Sequence, residues 1–221
     1  MFVLGKAEAF RGLLDAVTSV AGAMPRCYRT VRRGAAEVNC RYIRAIEIMI
    51  EPSPPDPDWP RYATHPFPPY RFIPGKTPHP RRSPLGHSYG QPEFRPPALP
   101  PEQWRENAWY LYGVDLYNFA YWWECHEVFE SLWHAAGHNT DPGRFFQGLI
   151  QIAAANLKQF VGPAHATEHL VKSGIERLQK FPQFYMGMDV RMFLQEVQNY
   201  FHFHGGCERP ALIRLAFFRP L

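Results

Sequence analysis

Seventeen of the chain's 23 prolines fall between Pro52 and Pro101, and that concentration decides where regular structure can form. Proline lacks a backbone N–H and its ring clashes with the preceding helical turn, so neither a helix nor an interior strand can run through the stretch. It reads as an extended arm of polyproline character. The helical core must lie on either side, and the longer side runs from Glu102 to the C-terminus. The middle of the arm, Pro68-Pro69-Tyr70-Arg71-Phe72-Ile73-Pro74, continues through His79 to Leu85-Gly86-His87-Ser88-Tyr89-Gly90. Flexible linkers do not usually spend Tyr, Phe and Ile this way. Residues 66–90 are therefore expected to pack on the helices and to bring His79, Arg81 and His87 toward a polar centre. A flexible arm with one sticky segment is the alternative.

With 221 residues the chain has room for one ordinary domain of about 100–150 residues plus extensions. The division expected is an N-terminal helical extension over 1–50, the arm over 51–101 and a helical bundle over 102–221. The extension reads as helices from about Lys6 to Ala23 and from Thr30 to Ile50, broken near Pro25. The apolar run Gly12 to Met24 contains Asp15 and makes a poor export signal. Met49 is a second candidate start, which would place the preceding residues outside the mature protein.

Net charge is +4, and the basic residues are dispersed apart from Arg32-Arg33 and Arg81-Arg82, too little for a nucleic-acid footprint. No apolar run reaches the roughly 18 residues of a membrane span. Cys27, Cys40, Cys125 and Cys207 form no Cys-x-x-Cys pair, which excludes a zinc knuckle or redox motif and fits a cytoplasmic protein with idle thiols.

Beyond the arm, helical periodicity and Gly/Pro punctuation predict five helices. The first runs from Glu102 to about Asn118, with a tight corner at Asn118 or Phe119. The second runs from about Ala120 to Ala136 and stops at Gly137. The third starts at an Asp141 cap followed by Pro142 and ends before Gly162-Pro163. The fourth runs from Ala164 to about Lys180. The fifth runs from about Asp189 to His204, closed by Gly205-Gly206, with His202 and His204 suited to its negative dipole end. Short connections favour antiparallel neighbours, so the class expected is all-α, a compact bundle of about five helices.

The second helix carries the densest chemistry. Over Trp122-Trp123-Glu124-Cys125-His126-Glu127-Val128-Phe129-Glu130-Ser131-Leu132-Trp133, the spacing puts His126, Glu130 and Trp133 on one side with Trp122 and Phe129. A polar group on an apolar face costs a few kcal/mol unless it is partnered. The third helix follows with Phe146-Gln147-Gly148-Leu149-Ile150-Gln151 and Ala153-Ala154-Ala155. Together these two motifs, entered through Leu116-Tyr117-Asn118-Phe119, resemble the all-helical bacterial and archaeal family catalogued as domain of unknown function 309, over about residues 105–180. Val161-Gly162-Pro163-Ala164 departs from the Asn-Gly element that the family usually shows there. The resemblance implies a helical fold and no established activity.

Three readings of the polar centre stay open. The first is a metal site. Position 130 is Glu, so this is not a His-Glu-x-x-His zincin motif. His126 and Glu130 with His165 and His169 from the fourth helix would make a nitrogen and oxygen set suited to zinc or iron. The second is acid–base or hydrolase-like work on a small molecule, with His126, Glu127 and Glu130 as catalytic candidates and Trp133, Gln147, Gln151, His79 and His87 lining or supporting them. The third is architectural: His126 and Glu130 meet the amides of Gln147 and Gln151, Gly148 lets the second and third helices approach, and Glu127 pairs with Arg144. In that case the protein is an interaction module whose arm and aromatic face recruit a partner protein or a second copy.

Overall fold

The computed structural model describes residues 52–161, 164–202 and 210–216, the side chains of 164–166 and 202 excepted. Everything below belongs to the second of the chain's two compact units, Ser53–Leu221. The expected N-terminal helices, the His165 side chain, and the His204 and Gly205-Gly206 end of the last helix lie outside the described residues.

Five helices form, as the periodicity predicts: α1 (Ala108–Asn118), α2 (Trp122–Ala136), α3 (Asp141–Val161), α4 (Ala164–Leu178) and α5 (Val190–His202). Between α4 and α5 lies a small hairpin, β1 (Phe184–Tyr185) paired antiparallel with β2 (Met188–Asp189). The fold is all-α, with successive helices α1 to α4 packed as neighbours.

Helix α1 is the central rod, buried on every side from Tyr110 to Asn118. That is the mark of a helix enclosed by protein rather than one with a solvent face. It begins six residues later than the sequence suggests. Asn107 takes the N-cap position because its side chain accepts from the Tyr110 N–H at 3.0 Å, satisfying a donor that the helix cannot. Residues 101–103 instead form one 3-10 turn, and Trp104 is buried. The corner after Asn118 falls where expected. Ala120 adopts φ 62, and the Trp122 indole N–H donates to the Tyr117 carbonyl at 3.2 Å, using an acceptor left over at the end of α1.

Two further local readings are corrected. The cap of α3 is Thr140 rather than Asp141, since the Gly143 N–H donates to the Thr140 hydroxyl at 3.1 Å. Gly148 does admit a close helix, but the helix is α4. A Cβ there would lie 2.6 Å from the Leu178 side chain, and one at Gly174 would lie 2.6 Å from Ile152.

Residues 53–100 form neither helix nor strand. A polyproline-like chain makes no hydrogen bonds within itself, so its remaining N–H groups need partners elsewhere. Buried carboxylates on the helices supply several of them. Asp115 of α1 accepts from the Tyr62 N–H at 2.8 Å, the Ala63 N–H at 2.9 Å and Arg61 Nε at 3.3 Å. Glu124 of α2 accepts from the Phe72 N–H at 2.9 Å. Arg71 Nε donates to the Phe119 carbonyl and its guanidinium lies over the Tyr121 ring. Phe72 and Ile73 are buried, and Phe67 stacks on Tyr121.

The C-terminal segment 210–216 closes the other side of α1. Asn118 holds both backbone groups of Ile213, donating to its carbonyl at 2.9 Å and accepting from its N–H at 2.8 Å. Leu215 then forms an antiparallel bridge with Met188 beside the hairpin.

Candidate functional site

The candidate centre is built on α2, where helical geometry alone brings three side chains together. His126 and Glu130 are one turn apart on the same face, and Glu127 lies about 100° further round. One ligand atom from each of His126, Glu127 and Glu130 falls within 4.8 Å of the others. His126 Nδ1 stands 3.6 Å from a Glu127 carboxylate oxygen. His126 is 2% exposed and Glu130 5%, while Glu127 is 24% exposed and faces outward. The group therefore spans the boundary between core and solvent.

The remaining candidates are distributed around it. Trp133, three residues past Glu130, is buried, and its indole N–H meets no hydrogen-bond acceptor among the described residues. Its ring stacks on His138. Gln151 turns its amide oxygen to Arg177 Nε of α4 at 3.0 Å, and Gln147 is half-buried; neither amide bonds to His126 or Glu130 among the described residues. The Gln151 amide thus ties α3 to α4. Arg144 pairs with Asp141 on its own helix instead of with Glu127. His169 stands on the exposed side of α4, apart from the three-residue group. Helix α4 packs on α3.

The arm reaches α2 on the flank next to this group. The His79 ring packs edge-on against Trp123 and lies beside Phe72. Its Nδ1 accepts from the Arg81 and Arg82 N–H groups. His87 lies deeper, 3.2 Å from Glu124 through Nε2 and 2.9 Å from the Ser88 hydroxyl through Nδ1. With Nε2–H donating to the carboxylate, Nδ1 is left as the acceptor for Ser88. Cys125, next to His126 in sequence, is fully buried; burial pushes its thiol pKa well up and leaves it inert.

Residues 110–170 match the family model described as Domain of unknown function (DUF309). The resemblance read from the motifs holds. It covers α1, α2, α3 and the first part of α4, a shorter span than the motifs suggest, and the DUF309 description assigns no activity. No curated protein matches the chain. No helix among the described residues is long and apolar enough to cross a membrane.

Two buried carboxylates to which the sequence reading assigns no role, Asp115 and Glu124, seat the arm. Periodicity places both on helices, but their partners lie about 50 residues upstream, beyond any local pattern. The available signal was an acid inside an otherwise apolar helix, Leu111-Tyr112-Gly113-Val114-Asp115-Leu116-Tyr117, which had to find buried donors.

Proposed function

We propose that the DUF309 segment holds a divalent metal ion, zinc or iron, through His126, Glu127 and Glu130, and uses it to bind and activate a small molecule in a hydrolase-like role. The observation that carries this reading is the convergence of one imidazole and two carboxylates within 4.8 Å, two of the three residues being almost fully buried. A neutral imidazole beside two carboxylates is a hard-to-borderline donor set of the kind that zinc and iron accept. Three protein ligands on one helix leave the remaining coordination positions for water and substrate, the arrangement typical of catalytic rather than structural sites. When bound, such an ion lowers the pKa of its water and polarises a substrate oxygen.

The chain's own residues prepare the site. Glu127, partly exposed, faces incoming ligand. Glu130 and His126 are fixed by the rigid helix, and Trp133 adds a buried N–H on the same side for a ligand oxygen. Packing of Phe67 and Phe72 of the arm on the protein's own helices weighs against that part of the arm as a recruiting surface.

Metal analysis of the full-length, untagged protein after reconstitution with zinc or ferrous iron tests the proposal. About one ion per chain is expected in the wild type, with loss of that ion in His126→Ala and in Glu130→Gln. Absence of stoichiometric metal in the wild type, with both variants merely melting lower, would make the group architectural.

A further inference from the structure

We propose that His134 and His138 form a second metal-binding site at the surface end of α2, one that takes copper(II) or a similar divalent transition-metal ion and is independent of the buried group. Helix α2 ends at Ala136, and Gly137 with φ 90 takes a backbone turn that an L side chain rarely adopts. The turn folds the chain back so that His138 Nε2 lies 2.8 Å from His134 Nδ1.

The geometry is held from three sides. The Thr140 hydroxyl lies within hydrogen-bond reach of both the Ala136 and Gly137 carbonyls and accepts from the Gly143 N–H. Gly143 is required there, because a Cβ at that position would lie 2.1 Å from the Gly137 carbonyl oxygen. From below, the buried Trp133 ring stacks on His138 at 4.1 Å and 24° and touches His134 at 5.1 Å. A two-imidazole chelate normally costs conformational entropy to assemble. Much of that ordering is already built into this turn.

The spacing suits a two-nitrogen chelate. For metal–nitrogen bonds of about 2.0 Å, two imidazoles in adjacent positions of a square plane have nitrogens about 2.8 Å apart, whereas a tetrahedral ion needs about 3.3 Å. The observed 2.8 Å is a hydrogen-bond contact that already brings the two nitrogens to chelating distance, and among divalent first-row ions copper(II) binds such a nitrogen pair most tightly. In the metal-free pair one facing nitrogen carries a proton and the other accepts it. A tautomer shift moves that proton to the outer nitrogen of the same ring through solvent. Turning the rings off their shared hydrogen-bond axis then aims both inner lone pairs at one ion, and the protein neither gains nor loses a proton.

The test uses copper(II) chloride with the full-length, untagged protein, read by tryptophan quenching and by electron paramagnetic resonance. Expected is an axial copper signal with nitrogen couplings, together with quenching of Trp133. His134→Ala and His138→Ala should each weaken this binding by at least about tenfold, since each removes one of two ligands. His138→Gln, which keeps a polar group over Trp133, guards against loss of the turn itself and should weaken it equally. Repeating the titration in a His126→Ala background separates this site from the buried one, and the nitrogen-coupled signal should persist there. Copper binding unchanged in all three surface variants, or lost in His126→Ala alone, would overturn the proposal.

Discussion

Replacing Asp115 by alanine is expected to destabilise the protein by about 3 kcal/mol, a fall in Tm of about 6–12 °C for a unit of this size. The carboxylate is fully buried and accepts from two backbone N–H groups and the Arg61 guanidinium. Hydrogen bonds to a charged group contribute about 1.5–3 kcal/mol each, and donors stripped of their partner pay a desolvation penalty as well. Solvent reaches Arg61, so most of the loss comes from the Tyr62 and Ala63 N–H groups. The arm has no ladder of its own to fall back on, so cleavage by a protease within residues 53–65 should accelerate in parallel. A Tm shift of less than about 2 °C with unchanged proteolysis would show that the arm is held by its aromatic contacts instead.

The same carboxylate carries a pH signature. Burial raises the Asp115 pKa above the ordinary aspartate value, outweighing the opposing pull of the Tyr62 and Ala63 N–H groups and of Arg61. A raised native pKa means that the folded state keeps its proton longer than the unfolded state does. As pH climbs from the ordinary aspartate range through the native pKa, the unfolded chain therefore binds fewer protons, and stability falls. In Asp115→Asn this contribution is absent. The Tm of the wild type relative to that variant should decline as pH rises across this window, as calorimetry at a series of pH values would record; a flat difference would refute it.

How much of the fold is legible in the sequence depends on the range over which each interaction acts. Helices α2 to α5 are legible because their ends are set locally, as by Gly137 after α2 and by the Asp189 side chain accepting from the Met192 N–H at the start of α5. The His126, Glu127 and Glu130 group was legible for the same reason, since one helix supplies all three. The hairpin was not. Its strands are two residues each, too short for an alternating pattern, and its turn is Met186-Gly187 rather than Asn-Gly or Asp-Gly. The seating of the arm on Asp115 and Glu124, and the turning of Gln151 toward Arg177, depend on which helices become neighbours. Spacing along one helix carries no information about that.

The hairpin turn nevertheless supports the second large effect. Gly187→Ala is expected to cost about 3 kcal/mol, because two penalties meet at one Cβ. Met186 and Gly187 both have positive φ, 46 and 77, the pattern of the tight turn whose twist suits a two-residue hairpin. An alanine there would be strained, and its Cβ would also lie 2.4 Å from the buried Trp104 ring. The ring has little room to yield. Trp104 is 5% exposed, and the turn it packs against is tied to α1 by the Tyr110 hydroxyl on the Met186 carbonyl and to the C-terminal segment by the Ala216 N–H on the Gly187 carbonyl. Gly75 provides the control, having φ 79 and open space, with nothing within 4 Å of where a Cβ would stand. Gly75→Ala should therefore show the conformational strain alone, about 1 kcal/mol. Denaturant midpoints for the two variants separate the contributions: equal losses would mean that Trp104 moves aside freely, whereas a larger loss at Gly187, with a shifted tryptophan emission, would show the ring held in place from both sides.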